Sequence, residues 1–294
     1  MRARWDAICA LAGRICGPAA PAHAGAGRRD KHLTSDRVDG GIDLSGGTAR
    51  GAAYAVAMPP VLVVFGARNV GRAVVADRLA AGWRALAVAR SDATLDALRA
   101  AHPEAAVLRG DARDHDVVAE ALARAERDLG GLDLVVNATT SVPRDHSFGG
   151  GPIADAPPDR LESWMAGFLP AAWAILRGGS AALARRGSGT LIQVSGGSAR
   201  RGMPGRGPWG AAQFAARALT QSLAQEMRPV GVHVALLVAD GIIRSDRNPM
   251  AGRPPEAAMD PGDVAAAVAY LASQRPAAWT HELVMTPAGD VWVP

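Results

Sequence analysis

From Met58 onward the chain alternates short, unbroken apolar runs with longer segments in which apolar residues return every three or four positions. The run Val61-Leu62-Val63-Val64-Phe65 is continuous and largely β-branched. A strand half-exposed to water would alternate apolar and polar residues, so this pattern predicts a parallel strand covered on both faces. Further strands are predicted at 85–89, 105–108, 132–136, 190–194, 232–238 and 282–285. Helical spacing follows Gly71 through Val74, Val75 and Leu79, and it predicts helices over 115–129, 159–184, from Pro208 onward, and 261–273. Strands interleaved with helices predict an α/β fold.

Composition narrows this only modestly. With 294 residues, 49% of them apolar, the chain can bury a substantial core as one large α/β domain or two small ones. The formal charge of +4 is concentrated in residues 1–57, which hold eight Lys/Arg against five Asp/Glu. No basic stripe interleaved with aromatics marks the remainder, so no nucleic-acid partner is expected. Cys9 and Cys16 both precede the first strand, which suits a reducing cytoplasm. The seven His are scattered without metal-site spacing, so no metal is expected. No apolar run approaches the ~20 residues that cross a bilayer, and no membrane association is expected.

Residues 1–57 read as a disordered tail rich in Gly, Ala and Arg, and residues 58–294 as the folded domain. Asp6 and Arg14 interrupt what would otherwise mimic a secretory signal. Met58 stands directly before the first core strand, so either Met1 or Met58 is a candidate start.

The first strand ends at Gly66-Ala67-Arg68-Asn69-Val70-Gly71, before a helix. Strand, glycine turn and helix in that order form a phosphate cradle. Gly66 permits the turn, Gly71 permits close helix packing, and the helix N-terminus offers free N–H groups to a pyrophosphate. Arg68 occupies the central glycine position of the usual dinucleotide fingerprint; it either offers its guanidinium to the phosphates or is an exposed loop residue. The second strand ends at Arg90-Ser91, 19 residues after Gly71. An acid there binds the ribose hydroxyls of NAD, whereas Arg accommodates the 2′-phosphate of NADP, so NADP is expected over NAD.

Gly110-Asp111 after the third strand, Asp133-Leu134-Val135-Val136-Asn137-Ala138 at the fourth, Ser195-Gly196-Gly197-Ser198 at the fifth and Asp240-Gly241 after the sixth complete a series that resembles the short-chain dehydrogenase/reductase family. The resemblance implies a single doubly wound α/β domain of Rossmann type with strand order 3-2-1-4-5-6-7. It implies that Asp111 touches the adenine edge, that Asn137 and Ala138 stand at the family's two strand-four Asn positions of the cofactor site, and that Thr139 and Thr140 replace the small Ala-Gly pair that lies against the cofactor. Gly241-Ile242-Ile243-Arg244-Ser245 would form the second half of the cradle, Ile243 facing the nicotinamide carboxamide and Ser245 a phosphate. Family members commonly pair through the fourth and fifth helices, which implies a homodimer or homotetramer acting on a small-molecule substrate, with Trp173 and Phe214 on those helices.

The catalytic positions depart from the family. Its Tyr and Lys, four residues apart at the start of the fifth helix, fall on Trp209 and Gln213. Its catalytic Ser falls on Gly196, flanked by Ser195 and Ser198, and its relay Asn falls on Trp164. The chain resembles an atypical branch that lacks the Tyr-x-x-x-Lys motif. Its only Lys is Lys31, and its only Tyr residues are Tyr54 and Tyr270. Trp carries a neutral N–H donor, and Gln cannot supply the cation that lowers a phenol's pKa. Substitute groups are Ser195, Ser198, Arg200, Arg201, Thr140 and Asp240; all are equally suited to turn chemistry. Trp164, Phe168, Trp209, Phe214 and Trp279 are expected either to line an apolar pocket or to pack in the core or a subunit interface. Three functions stay open: an NADP-dependent oxidoreductase for a carbonyl or alcohol with a non-standard proton donor, an NADP-binding partner or sensor without turnover, and an NADP-independent lyase or isomerase.

Overall fold

The computed structural model describes residues 58–140, 149–246 and 254–290. The expectations for the tail, including both cysteines, Lys31 and Tyr54, lie outside the described residues.

The elements run β1 (Val61–Phe65), α1 (Val70–Ala80), β2 (Arg84–Ala89), α2 (Asp92–Ala101), β3 (Ala106–Arg109), α3 (His115–Asp128), β4 (Leu134–Asn137), α4 (Arg160–Arg186), β5 (Gly189–Gly196), α5 (Gly207–Met227), β6 (Val232–Ala239), α6 (Pro261–Ala272) and β7 (Glu282–Met285). All seven strands form one parallel sheet in the order β3-β2-β1-β4-β5-β6-β7. The chain folds as the doubly wound α/β domain expected from the alternation of elements. The strand predictions agree with the structure to within two residues. Helix α2 carries no equally plain signal, because only Leu95 and Leu98 of its ten residues are buried.

Strand β1 shows why unbroken apolar runs were needed. Val61, Val63 and Phe65 enter the cluster beneath α3, α4 and α5, while Leu62 and Val64 enter the one beneath α1, α2 and α6. Successive side chains of a strand point to opposite faces, so a sheet covered on both sides demands an apolar residue at every step. Asp260 and Asp263 exchange bonds in a capping box that starts α6, and Asp114 caps α3.

A third cluster lies between α4 and α5. Trp164 meets Trp209 edge-on at 5.4 Å between ring centroids, and Phe168 meets Trp209 at 5.3 Å. Of the five aromatics, these three therefore pack in the core, while Phe214 is exposed. Trp279 is elsewhere: it stacks on His233, at the opening of β6, the end of the sheet remote from the glycine turn. The pocket alternative is thus corrected for Trp279, whose planar ring is held by a second planar ring at 5.1 Å.

Burial holds the His233 imidazole below its usual pKa, the nearby His281 and Arg228 act in the same direction, and the hydrogen bond to the Thr280 carbonyl opposes them. A histidine depressed in the folded state stabilises fully above its unfolded pKa of about 6.5 and loses that contribution as pH falls through the folded value. Thermal melts are therefore expected to drop between pH 7 and 5. His233→Phe is expected to flatten that slope while lowering stability at pH 7, since the Thr280 carbonyl loses its donor.

Candidate nucleotide and substrate site

The phosphate turn is built by backbone contact. Gly66 follows β1 with φ 94°, and a Cβ there would lie 2.6 Å from the Ala138 carbonyl oxygen at the end of β4. A Cβ on Gly71 would lie 1.8 Å from the Gly66 carbonyl oxygen. Only glycine fits either position. Asn69 has φ 43°, a conformation that Asn tolerates better than most residues. It precedes α1 without a side-chain capping bond, and the first turn of α1 contains no acid. The N–H groups and positive dipole end of α1 therefore remain suited to an anion. Val70 is half-buried, and Arg68 is exposed in the same turn.

At the carboxyl ends of β2 and β3, Arg90 is exposed and lies 3.9 Å from Asp111, with Ser91 starting α2. Arg113 grips Asp111 through its Nε at 3.0 Å, a terminal guanidinium nitrogen at 2.6 Å and its backbone N–H at 3.0 Å. These bonds hold the Asp111 carboxyl below its usual pKa against the opposing effect of burial. The structure brings Arg90, Ser91 and Asp111 together as expected. It adds Arg113, which the sequence reading missed and which engages both Asp111 oxygens.

Asn137 is fully buried at the tip of β4. Its side-chain N–H donates to Gln193 on β5 at 2.8 Å, and its oxygen accepts from the backbone and hydroxyl of Thr139 at 3.0 and 2.6 Å. Asn137 is thus a brace between strand tips, and Ala138 forms the backbone wall behind Gly66. Gln193 was missed because its partner is 56 positions away.

Gln213, at the family's Lys position, is paired with Ser195, which flanks the family's Ser position. The Ser195 hydroxyl donates to the Gln213 side-chain oxygen at 2.5 Å, with both groups buried. Trp209 and Trp164 sit in the aromatic cluster. Ser198 is buried in the turn Gly197–Ala199. Beside that turn, Arg201 forms a two-pronged ion pair with Asp240, the residue following β6. One guanidinium nitrogen reaches one carboxylate oxygen, and the other reaches the second oxygen at 3.1 Å. This pairing holds the Arg201 guanidinium above its usual pKa, and Asp290 contributes in the same direction. Arg200 lies instead 3.9 Å from Glu282, whose oxygens accept from Arg217 at 3.0 and 3.1 Å.

The segment after β6 is fixed from both sides. A Cβ on Gly241 would strike Pro287 at 2.5 Å, and Ile242 and Arg244 exchange backbone bonds with Met259 at 2.9 Å each. Ile243 packs partly against the core beneath α1 and α6, and Ser245 follows half-buried. An apolar groove of about 570 Å³, lined by Ile153, Met203, Pro204, Ala211 and Phe214 among others, runs along the outer side of α5. It includes neither Ser195, Gln213, Arg201 nor Asp240.

A family model described as short chain dehydrogenase matches residues 60–252. The chain belongs to the short-chain dehydrogenase family. Similar solved structures include a short-chain dehydrogenase from Rhodopseudomonas palustris, 23% identical with a TM-score of 0.62 over 78% of this chain and 98% of that one. A metagenomic short-chain oxidoreductase in complex with NADP is 25% identical, with a TM-score of 0.63 over 79% of this chain and 99% of that one. An alcohol dehydrogenase from the archaeon Thermococcus sibiricus, complexed with 5-hydroxy-NADP, is 20% identical, with a TM-score of 0.66 over 80% and 99%. In this short-chain dehydrogenase the turn after β1 is built on Gly66 and Gly71, while Gln213 pairs with Ser195 and Trp164 and Trp209 share an aromatic cluster. Among the described residues no helix is long and apolar enough to cross a membrane.

Two substitutions probe these halves separately. Gly71→Ala forces a methyl into a backbone carbonyl and is expected to cost about 3 kcal/mol or more in denaturant unfolding. Ser195→Ala strands the Gln213 oxygen in a buried site and is expected to cost about 1–3 kcal/mol by the same measurement.

Proposed function

We propose that this protein is an NADP-dependent oxidoreductase that interconverts a small carbonyl compound and its alcohol without the family's Tyr/Lys pair. The observation that carries the reading is the phosphate turn: Gly66 and Gly71 sit where a Cβ would strike backbone, and α1 begins without an acid or a side-chain cap. These residues fit a dinucleotide, whose pyrophosphate would meet the N–H groups of Asn69 and Val70. NADP, when bound, supplies or accepts the hydride. Arg90, with Ser91 beside it, is our choice for the 2′-phosphate, and Asp111 for the adenine edge. Ala138, Gly241 and Ile243 wall the nicotinamide end, Ser245 faces a phosphate, and Asn137 braces the strand tips behind them. A relative found in complex with NADP supports the preference.

Ser195, Ser198, Trp209 and Gln213 shape the cleft in this reading rather than transfer the proton. General acid–base catalysis contributes ~10²- to 10⁴-fold, whereas orientation of two reactants contributes more, so slow hydride transfer survives their loss. A second reading, an NADP-binding partner or sensor without turnover, is favoured by the closed Ser195–Gln213 pair, which leaves no free acid at the family's position. The exposed Trp173 and Phe214 on α4 and α5 support a homodimer or homotetramer, and the absence of cysteine after residue 57 suits the cytoplasm.

Fluorescence titration with NADPH tests both readings together: micromolar binding is expected, and its absence overturns both. Arg90→Ala is expected to weaken NADPH about tenfold or more while leaving NADH nearly unchanged, because only NADPH carries the extra phosphate. Oxidation of NADPH with a panel of carbonyl compounds then separates enzyme from sensor.

A further inference from the structure

Resting on the oxidoreductase reading above, we propose that Arg201, clamped by Asp240, is the catalytic residue that receives the substrate's carbonyl oxygen. The location comes from the sheet register. Ala239, the last residue of β6, pairs with Gly196, the position that the family gives to its catalytic Ser, and Asp240 follows directly. A Cβ on Gly197 would lie 1.9 Å from an Asp240 carboxylate oxygen, so the acid lies over the turn just beyond that position. Gly197, Asp240 and Arg201 are mutually dependent: a side chain at 197 would displace the carboxylate, and without it the guanidinium has no anchor.

The pair is asymmetric. The Asp240 side chain retains 6% of its exposure and that of Arg201 retains 23%, so the acid is the buried anchor and the guanidinium is the more accessible half. Two guanidinium nitrogens are committed to Asp240, and each still carries a second N–H. Asp290 is the other acid acting on this cation. Other donors at the strand tips are engaged elsewhere, among them Ser195 with Gln213, Thr139 with Asn137 and Arg217 with Glu282. Arg200 lies beside Glu282.

The chemistry balances without a protein acid. As hydride reaches the carbonyl carbon, the C=O π pair moves onto oxygen, and Arg201 holds the resulting alkoxide through charge and hydrogen bonding. The guanidinium keeps its own proton, so the proton that completes the alcohol comes from solvent water. Asp240 acts through Arg201 and is a positioning residue.

The full chain is tested with NADPH and p-nitrobenzaldehyde, and with p-nitrobenzoate as a planar oxyanion probe titrated calorimetrically into the NADP complex. The parent is expected to reduce the aldehyde at a rate flat from pH 6 to 9 and to bind p-nitrobenzoate. Arg201→Ala is expected to lower kcat about 100-fold or more and p-nitrobenzoate affinity at least about tenfold, with NADPH affinity within about twofold. Arg201→Lys keeps a cation against Asp240 and guards against a folding failure of the alanine variant. It is expected to recover part of the rate, with a falling limb only above about pH 10 as the ammonium titrates. Asp240→Asn is expected to lower kcat more than it raises KM. A titrating limb in the parent between pH 6 and 9, or a Lys variant with the parent's rate, overturns the proposal. A parent that binds NADPH but reduces no carbonyl compound, or that fails to bind NADPH, instead overturns the reading on which it rests.

Discussion

The structure depends on one close backbone approach. Gly66 turns out of β1 against the Ala138 carbonyl at the tip of β4, and Gly71 brings α1 down onto Gly66. Strand order reverses here, since β1 has β2 on one side and β4 on the other. A crevice opens at the carboxyl ends of strands at such a reversal, and ligands of open α/β sheets bind in it. Any side chain at 66 or 71 would part β4 from the turn and tilt α1 off the sheet. The fold and the nucleotide cradle are therefore maintained by the same two missing Cβ atoms.

Beyond the cradle, the strand tips follow another requirement, that buried polar groups be paired. Asn137 is braced by Gln193 and Thr139, Ser195 by Gln213, and Asp240 by Arg201. A buried polar group without a partner costs about 1–3 kcal/mol, and an unpaired buried charge costs more. Replacing the family's Tyr and Lys is tolerable because the exchange is collective: Trp209 joins Trp164 and Phe168, and Gln213 gives Ser195 an acceptor. A single replacement would leave a group exposed to that penalty. The Arg201–Asp240 pair follows the same logic.

Much of the sheet was legible because a parallel strand covered on both faces must be apolar throughout, and β1, β2 and β6 satisfy that requirement almost without exception. Glycine spacing, Arg90 and Asp111 were legible for a similar reason: each acts within a few residues of a strand end, where local sequence carries the signal. Helix α2 was less plain because a short surface helix buries few side chains. For Trp279 the pocket and packing alternatives stayed open because apolar character does not say which end of a sheet a ring occupies.

The sequence by itself determined the α/β class, the strand runs, the nucleotide turn and the loss of the family's Tyr and Lys, all properties of neighbouring residues or of periodicity. Only tertiary structure decided what took the place of the lost relay. Ser195 and Gln213 are 18 residues apart, Asn137 and Gln193 are 56 apart, and Arg201 and Asp240 are 39 apart. Such partners are chosen by sheet register and helix packing, which bring strand tips together regardless of their distance along the chain, and no local pattern records that choice.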